Sequence, residues 1–253
     1  MDLDVQRASL WKRIAAWMFD SILVAVLAVG IGALLSAVFG YDGYSAQLDE
    51  IRAKYESDYG VVFSVTAEEY DAMTEAERAN YTAAYEALVK DEETIYIYNM
   101  VVNLSLVITT LGILLAVVIL EFVVALLFGN GQTLGKKIFG ISLMRRDCVR
   151  INPMQLFVRV ILGKFTVETM IPVYIAIMIF WGTMGSTGTL ILMGFLLLQG
   201  ALMLLTRERT AIHDMLAGTV AVDFSSQKIF ATTDDMIEYK KKAAAEQSAR
   251  QAY

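Results

Sequence analysis

The sequence holds one cysteine, Cys148, and one histidine, His213. A lone thiol excludes an internal disulfide and a multi-thiolate metal centre. A lone imidazole excludes a zinc motif built on a histidine pair. Neither a metal nor a cofactor is expected. Proline is nearly as scarce, with only Pro153 and Pro172, so most of the backbone is free to be helical. Charge is thin as well: 19% of residues are charged and 57% are hydrophobic, where a soluble domain carries about a quarter charged residues. The charges are clustered, and the stretches between them are long enough to cross a bilayer. No internal repeat is visible, so the inverted-repeat signature of many transporters is missing.

What is present is a series of apolar runs. A helix needs about 20 residues to cross the hydrocarbon layer. The run from Ile14 to Gly40 is broken only by Asp20 and reads as span one. A cleaved signal peptide would be shorter and would not carry an aspartate inside its apolar region. Residues 97–128 form span two, with Glu121 as the one charge inside. From Ile171 to Leu205 no charge occurs at all. One helix of that length would measure about 52 Å, too long for a single crossing. Gly182, Gly185 and Gly188 supply a turn, dividing it into span three at 165–182 and span four at 189–205. Residues 154–164 mix Arg159 and Lys164 with apolar neighbours and read as an amphipathic segment lying at the interface, or as the entry to the third span.

Between spans one and two, residues 41–96 change character. Tyr41 to Thr94 hold fourteen Asp/Glu against four Lys/Arg. Thr66 with Glu69, and Thr74 with Glu77, are capping-box patterns that start helices. Tyr81, Tyr85 and Leu88 then share a helix face. A small acidic helical domain is expected, its charge read as a solvated face or as a surface for a cation or a basic partner. The fold class is therefore an all-α, polytopic transmembrane helix bundle of about four spans with a small acidic helical insertion between spans one and two.

Orientation follows from where Lys and Arg fall. The loop 129–153 carries Lys136, Lys137, Arg145, Arg146 and Arg150 against Asp147 alone. Arg7, Lys12 and Arg13 precede span one, and Arg207 and Arg209 follow span four. Four spans place residues 1–13, the loop and the tail 206–253 in the cytoplasm and 41–96 outside. A multi-pass protein of the plasma membrane is expected, with the last residues a charged helix or disordered.

Three stretches carry polar chemistry: residues 8–20 (ASLWKRIAAWMFD), 131–140 (GQTLGKKIFG) and 209–219 (RTAIHDMLAGT). Together and in this order they resemble the RDD family, named for one arginine and two aspartates. The resemblance assigns Arg13 and Asp20 from the first stretch and Asp214 from the third. It assigns Gly131, Thr133, Gly135, Lys136 and Gly140 to the loop after the second helix, and His213, Gly218 and Thr219 to the C-terminal motif. Arg159 matches an arginine the family tends to carry. The resemblance implies a multi-pass membrane protein suggested to transport undefined ligands. It implies no reaction, and it says nothing of the acidic insertion.

Arg13 and Asp20 lie on one helix face about 10 Å apart along the axis, too far for a direct bond unless Arg13 reaches down. Glu121 stands seven residues before the end of span two, so it and Asp20 can occupy similar depth. A charge at mid-membrane costs several kcal/mol unless paired or wet. Two readings follow. Asp20 and Glu121 form a cation or proton site with Asp214 at its mouth, or the acids are counter-ions for Arg13, Arg159 and Lys136. His213 and Asp214, adjacent on a helix, point about 100° apart and make no dyad; His213 reads as an interfacial cap or hydrogen bond. Residues 129–136 imitate a phosphate loop but have the wrong glycine spacing, and Lys137 stands where Ser or Thr should be. That stretch reads as a tight re-entry whose lysines meet anionic headgroups. The match of Asn80 to a glycosylation site reads as chance.

No enzyme is expected. The functional readings are transport of a small ion or solute near the intramembrane carboxylates, and a non-transporting adaptor or regulator whose insertion or basic loop binds a protein. The expected partners are the bilayer, a small cation or proton, and a membrane or extracytoplasmic protein, with no nucleic acid.

Overall fold

The computed structural model describes residues 5–180, 182–205 and 210–251. Arg207 and Arg209, used above for orientation, and Thr206 at the start of the tail lie outside the described residues. The helices are α1 (Leu10–Phe39), α2 (Tyr41–Tyr59), α3 (Ala67–Ala72), α4 (Glu75–Lys90), α5 (Glu92–Phe128), α6 (Leu134–Ile138), α7 (Pro153–Phe180), α8 (Gly185–Leu205), α9 (Ile212–Ala217) and α10 (Thr233–Gln251). One strand pair, β1 (Ile141–Arg145) and β2 (Thr219–Asp223), joins them. α1, α5, α7 and α8 are each long and apolar enough to cross a membrane. The chain is an all-α polytopic membrane protein with a helical insertion between its first two spans. It divides into two compact units, one of residues 1–27 and 113–253, the other of Ala28–Gly112.

In the Ala28–Gly112 unit, both predicted capping boxes form. Thr66 accepts from the Glu69 N–H while Glu69 reaches back to the Thr66 N–H, and Thr74 and Glu77 do the same. Each box satisfies two backbone donors that a helix start leaves open. Phe63 meets Tyr81 and Tyr85 edge-on, and Tyr81 also meets Tyr70. These aromatic contacts pin the turn after α2 onto α4. The Asn80 amide donates to the Tyr59 carbonyl at 2.7 Å, which gives that asparagine a structural use.

In the other unit, β1 and β2 pair antiparallel from Ile141↔Asp223 to Arg145↔Thr219. Short segments extend the ladder on both sides. Ala8 donates to Ala221 and Asp223 to Gln6 on one edge; Arg145 donates to Val149, and Arg150 to Phe230, on the other. Met144, Cys148, Val149, Val220, Val222, Phe230 and Met236 pack as one apolar cluster on this ladder. Met236 docks the start of α10, and that helix runs from Thr233 to Gln251.

Three readings need correction. Of the two readings of 154–164 the interfacial segment gives way to the entry to span three, since α7 runs unbroken over Pro153–Phe180. Its two charges in that stretch each have a buried partner, Arg159 with Asp214 and Lys164 with Glu121. The turn between spans three and four is shorter and earlier than expected: α7 ends at Phe180 and α8 begins at Gly185. The 131–140 stretch is no simple re-entry, since it holds the short helix α6 and leads into β1.

Candidate functional site

The site is assembled from α1, α5, α6, α7 and α9 within the unit of residues 1–27 and 113–253. Asp20 on α1 is 4% exposed. Its carboxylate accepts from the Thr133 hydroxyl and, at 2.8 Å, from the Gly135 N–H, with the Lys136 ammonium 3.9 Å away. Thr133 is the N-cap of α6 and accepts from the Lys136 N–H. Gly135 has to be glycine, since a Cβ there would stand 2.5 Å from the Ala16 carbonyl and 2.9 Å from Asp20. The stretch that imitates a phosphate loop does bind an anion through backbone N–H. That anion is the protein's own Asp20.

Asp214 on α9 is fully buried and collects the second group. It is ion-paired with Arg159, it accepts from Arg13 at 3.1 Å, and the Ala211 N–H donates to it at 3.2 Å. Burial would raise this carboxyl, but Arg159, His213 and Arg13 outweigh it and hold it well below the usual carboxylate range. Arg159 also donates to the Thr219 hydroxyl at 2.6 Å and to His213 Nε2 at 3.0 Å. A guanidinium can only donate, so Nε2 accepts and the ring proton sits on Nδ1, donating to Glu168 at 2.6 Å. The Glu168 carboxylate also accepts the His213 backbone N–H at 2.9 Å. His213 is therefore a hydrogen-bonded spacer between Glu168 and Arg159. Its Nε2 lies 3.7 Å from Asp214, beyond a hydrogen bond. Gly163 of α7 lets α9 approach, because a Cβ there would stand 2.6 Å from the His213 Cβ.

The third pair is Glu121 of α5 with Lys164 of α7. Both stand in π-helical segments, Val118–Val123 and Val158–Met170. A π-helix bonds i to i+5 and turns about 80° per residue. Arg159 and Glu168 then lie within about 20° of each other, and Lys164 within about 50° of both. In an α-helix, Arg159 and Glu168 would face opposite ways. The Thr166 and Thr169 hydroxyls donate to carbonyls five residues back, at 2.8 and 3.0 Å, in keeping with that register.

Four carboxylates (Asp20, Glu121, Glu168, Asp214) and four basic side chains (Arg13, Lys136, Arg159, Lys164) make up the cluster, with Glu168 held by His213 rather than by a cation. No buried side-chain polar atom among the described residues is left without a partner. A partly open cavity of about 350 Å³ runs through the cluster, reaching Asp20, Glu121, Lys136 and Lys164 between apolar walls that include Trp17 and Phe195. Burial and the neighbouring Lys164 push the Lys136 ammonium down to about 8, with Asp20 and Glu121 only partly offsetting them.

The structure brings Arg13, Arg159, Asp214, His213 and Thr219 together, and separately Asp20, Thr133, Gly135 and Lys136. Arg13 and Asp20, though on one helix, go to different partners. Gly140 and Gly218 lie outside the cluster at turns with φ of 64° and 63°. Sequence reasoning missed Lys164 as the partner of Glu121, and Glu168 altogether as a site residue. Their one-turn spacing was visible, but only the π register turns both toward Arg159. A family model described as RDD family matches residues 7–218. No curated protein and no solved structure matches the chain.

Proposed function

The chain belongs to the RDD family of membrane proteins, and we propose that it moves a small cation across the membrane in exchange for a proton, through the cavity at Asp20. The observation that carries this reading is the cavity of about 350 Å³ reaching both Asp20 and Lys136. The Asp20–Lys136 pair is open at 3.9 Å, unlike the close pairs around it. A lysine ammonium at about 8 releases its proton just above neutral pH. Asp20 then keeps the Thr133 hydroxyl and Gly135 N–H but loses its cation, and a small cation entering the cavity takes that place. The protonated Lys136 side chain and the entering cation compete for one carboxylate, so uptake of the cation is coupled to release of the lysine's proton. Asp20→Asn in sealed proteoliposomes should abolish cation-dependent pH change while the protein still elutes as a folded peak. Unchanged exchange in that variant sinks the reading.

A second reading is favoured by the charge balance. Four acids against four bases is what a purely structural knot requires, and the protein would then be an adaptor whose acidic insertion or basic loop binds a partner. On that reading Asp20→Asn lowers folded yield, and deleting 45–92 abolishes pull-down of the partner.

For orientation we propose that both termini and the 129–153 loop are cytoplasmic and 41–96 extracytoplasmic in the plasma membrane. Two observations support it. Residues 6–8, 141–150, 219–223 and Phe230 share one backbone ladder, so they share one membrane face. That face carries the basic loop, and the positive-inside bias assigns it to the cytoplasm.

A further inference from the structure

We propose that a second pocket, beside the end of α5, binds the phosphate of an anionic phospholipid headgroup. The pocket, of about 270 Å³, is lined by Asn130, Arg150, Phe224, Gln227, Ile229 and Phe230. Arg150 is its one charged wall. The Arg150 backbone N–H donates to Phe230, which fixes its Cα, and its Nε donates to the Gly129 carbonyl, which fixes the guanidinium. Gly129 makes room for it: a Cβ there would stand 2.2 Å from Arg150 Nη2. The two Nη groups carry no hydrogen bond among the described residues. A pre-positioned guanidinium with its outer edge free matches a phosphate bidentately.

Two lysines stand on the segments that flank the pocket. Lys137 stands 3.8 Å over the Phe128 ring, and Lys228 stands 3.7 Å over the Tyr239 ring. The acids nearby are engaged: Asp147 pairs with Arg145, and Asp223 with Lys12, Ser225 and Ser226. The Gln227 amide is also occupied, accepting from the Gln6 N–H and donating to the Lys228 carbonyl. Asn130 and Arg150 are thus the polar groups left for a ligand. Position decides for lipid over free phosphate. The pocket opens directly after a membrane-crossing helix, whose last turn exposes Leu127 at 78%. That is where headgroups lie, and a phosphate there is already at high local concentration.

The test uses the full chain purified in detergent, titrated with phosphatidylglycerol, phosphatidylcholine or inorganic phosphate, with bound lipid counted by native mass spectrometry. Phosphatidylglycerol should bind in preference to phosphatidylcholine. Arg150→Gln should weaken it about tenfold, the scale of a charge-assisted hydrogen bond. Arg150→Lys, which keeps the charge but not the fork, should fall between and serves if the glutamine variant misfolds. Lys241→Gln, an equal charge loss on the exposed face of α10, should change nothing. Equal loss in the Arg150 and Lys241 variants, equal binding of both lipids, or displacement of phosphatidylglycerol by inorganic phosphate at the same concentration would each overturn the assignment.

Discussion

At the scale of single residues, burial decides which charges matter. Asp214 is fully buried between Arg13 and Arg159. Removing its charge leaves two guanidinium groups without an anion, and breaking a buried pair from one side costs about 3–5 kcal/mol. Asp214→Asn should therefore lower thermal stability sharply in detergent. The Asp223–Lys12 pair is its control, since the lysine side chain is 46% exposed. Asp223→Asn should change stability by about 1 kcal/mol or less, as exposed pairs do. Lys136 sets a pH dependence with the opposite sign from an ordinary ion pair. Its ammonium sits at about 8, below the usual 10.5. Between those values the unfolded chain binds the extra proton, so stability rises with pH across that window. A melting series from pH 7 to 10 should show the rise, and Lys136→Met should flatten it. Gly135→Ala should displace the Asp20 contact altogether, because the added methyl occupies the space between the loop and the Ala16 carbonyl. Its folded yield should fall.

At the scale of elements, the π segment of α7 is the device that gathers the site. A π turn holds about one residue more than an α turn of similar height. Deleting Leu162, which is half exposed, should convert one π turn to α and keep Lys164 on the Glu121 side. Inserting an alanine after Leu162 turns Lys164 away by about 80°. The deletion should give a monodisperse peak near wild-type yield, and the insertion should not. The reverse outcome would show that the π register is not what aligns these side chains. The capping boxes on α3 and α4 were legible for the contrary reason: both halves of each box lie within four consecutive residues. The correction to α7 follows from the same contrast. Charges inside a helix suggest an interface when read along the chain, and they become acceptable inside a span once partners on α5 and α9 meet them.

At the scale of the whole molecule, the ladder joining residues 6–8, 141–150, 219–223 and Phe230 constrains the topology, because hydrogen-bonded backbone cannot be shared across a bilayer. In a Cys148→Ser background, Ser226→Cys and Ser57→Cys should label from opposite sides of sealed vesicles with an impermeant maleimide. Labelling from one side would exclude the proposed arrangement. By itself the sequence determined the membrane class, the four spans, the helical insertion and the family, because hydrophobic run length, capping pairs and short motifs are local properties of a chain. It also offered Arg13, Asp20, Glu121, Arg159 and Asp214 as charges needing partners. Only the tertiary structure decided the pairing. Lys164 meets Glu121 across 43 residues, and Arg159 meets Asp214 across 55. Such contacts depend on which helices pack together and on a π register that no α-helical periodicity reveals.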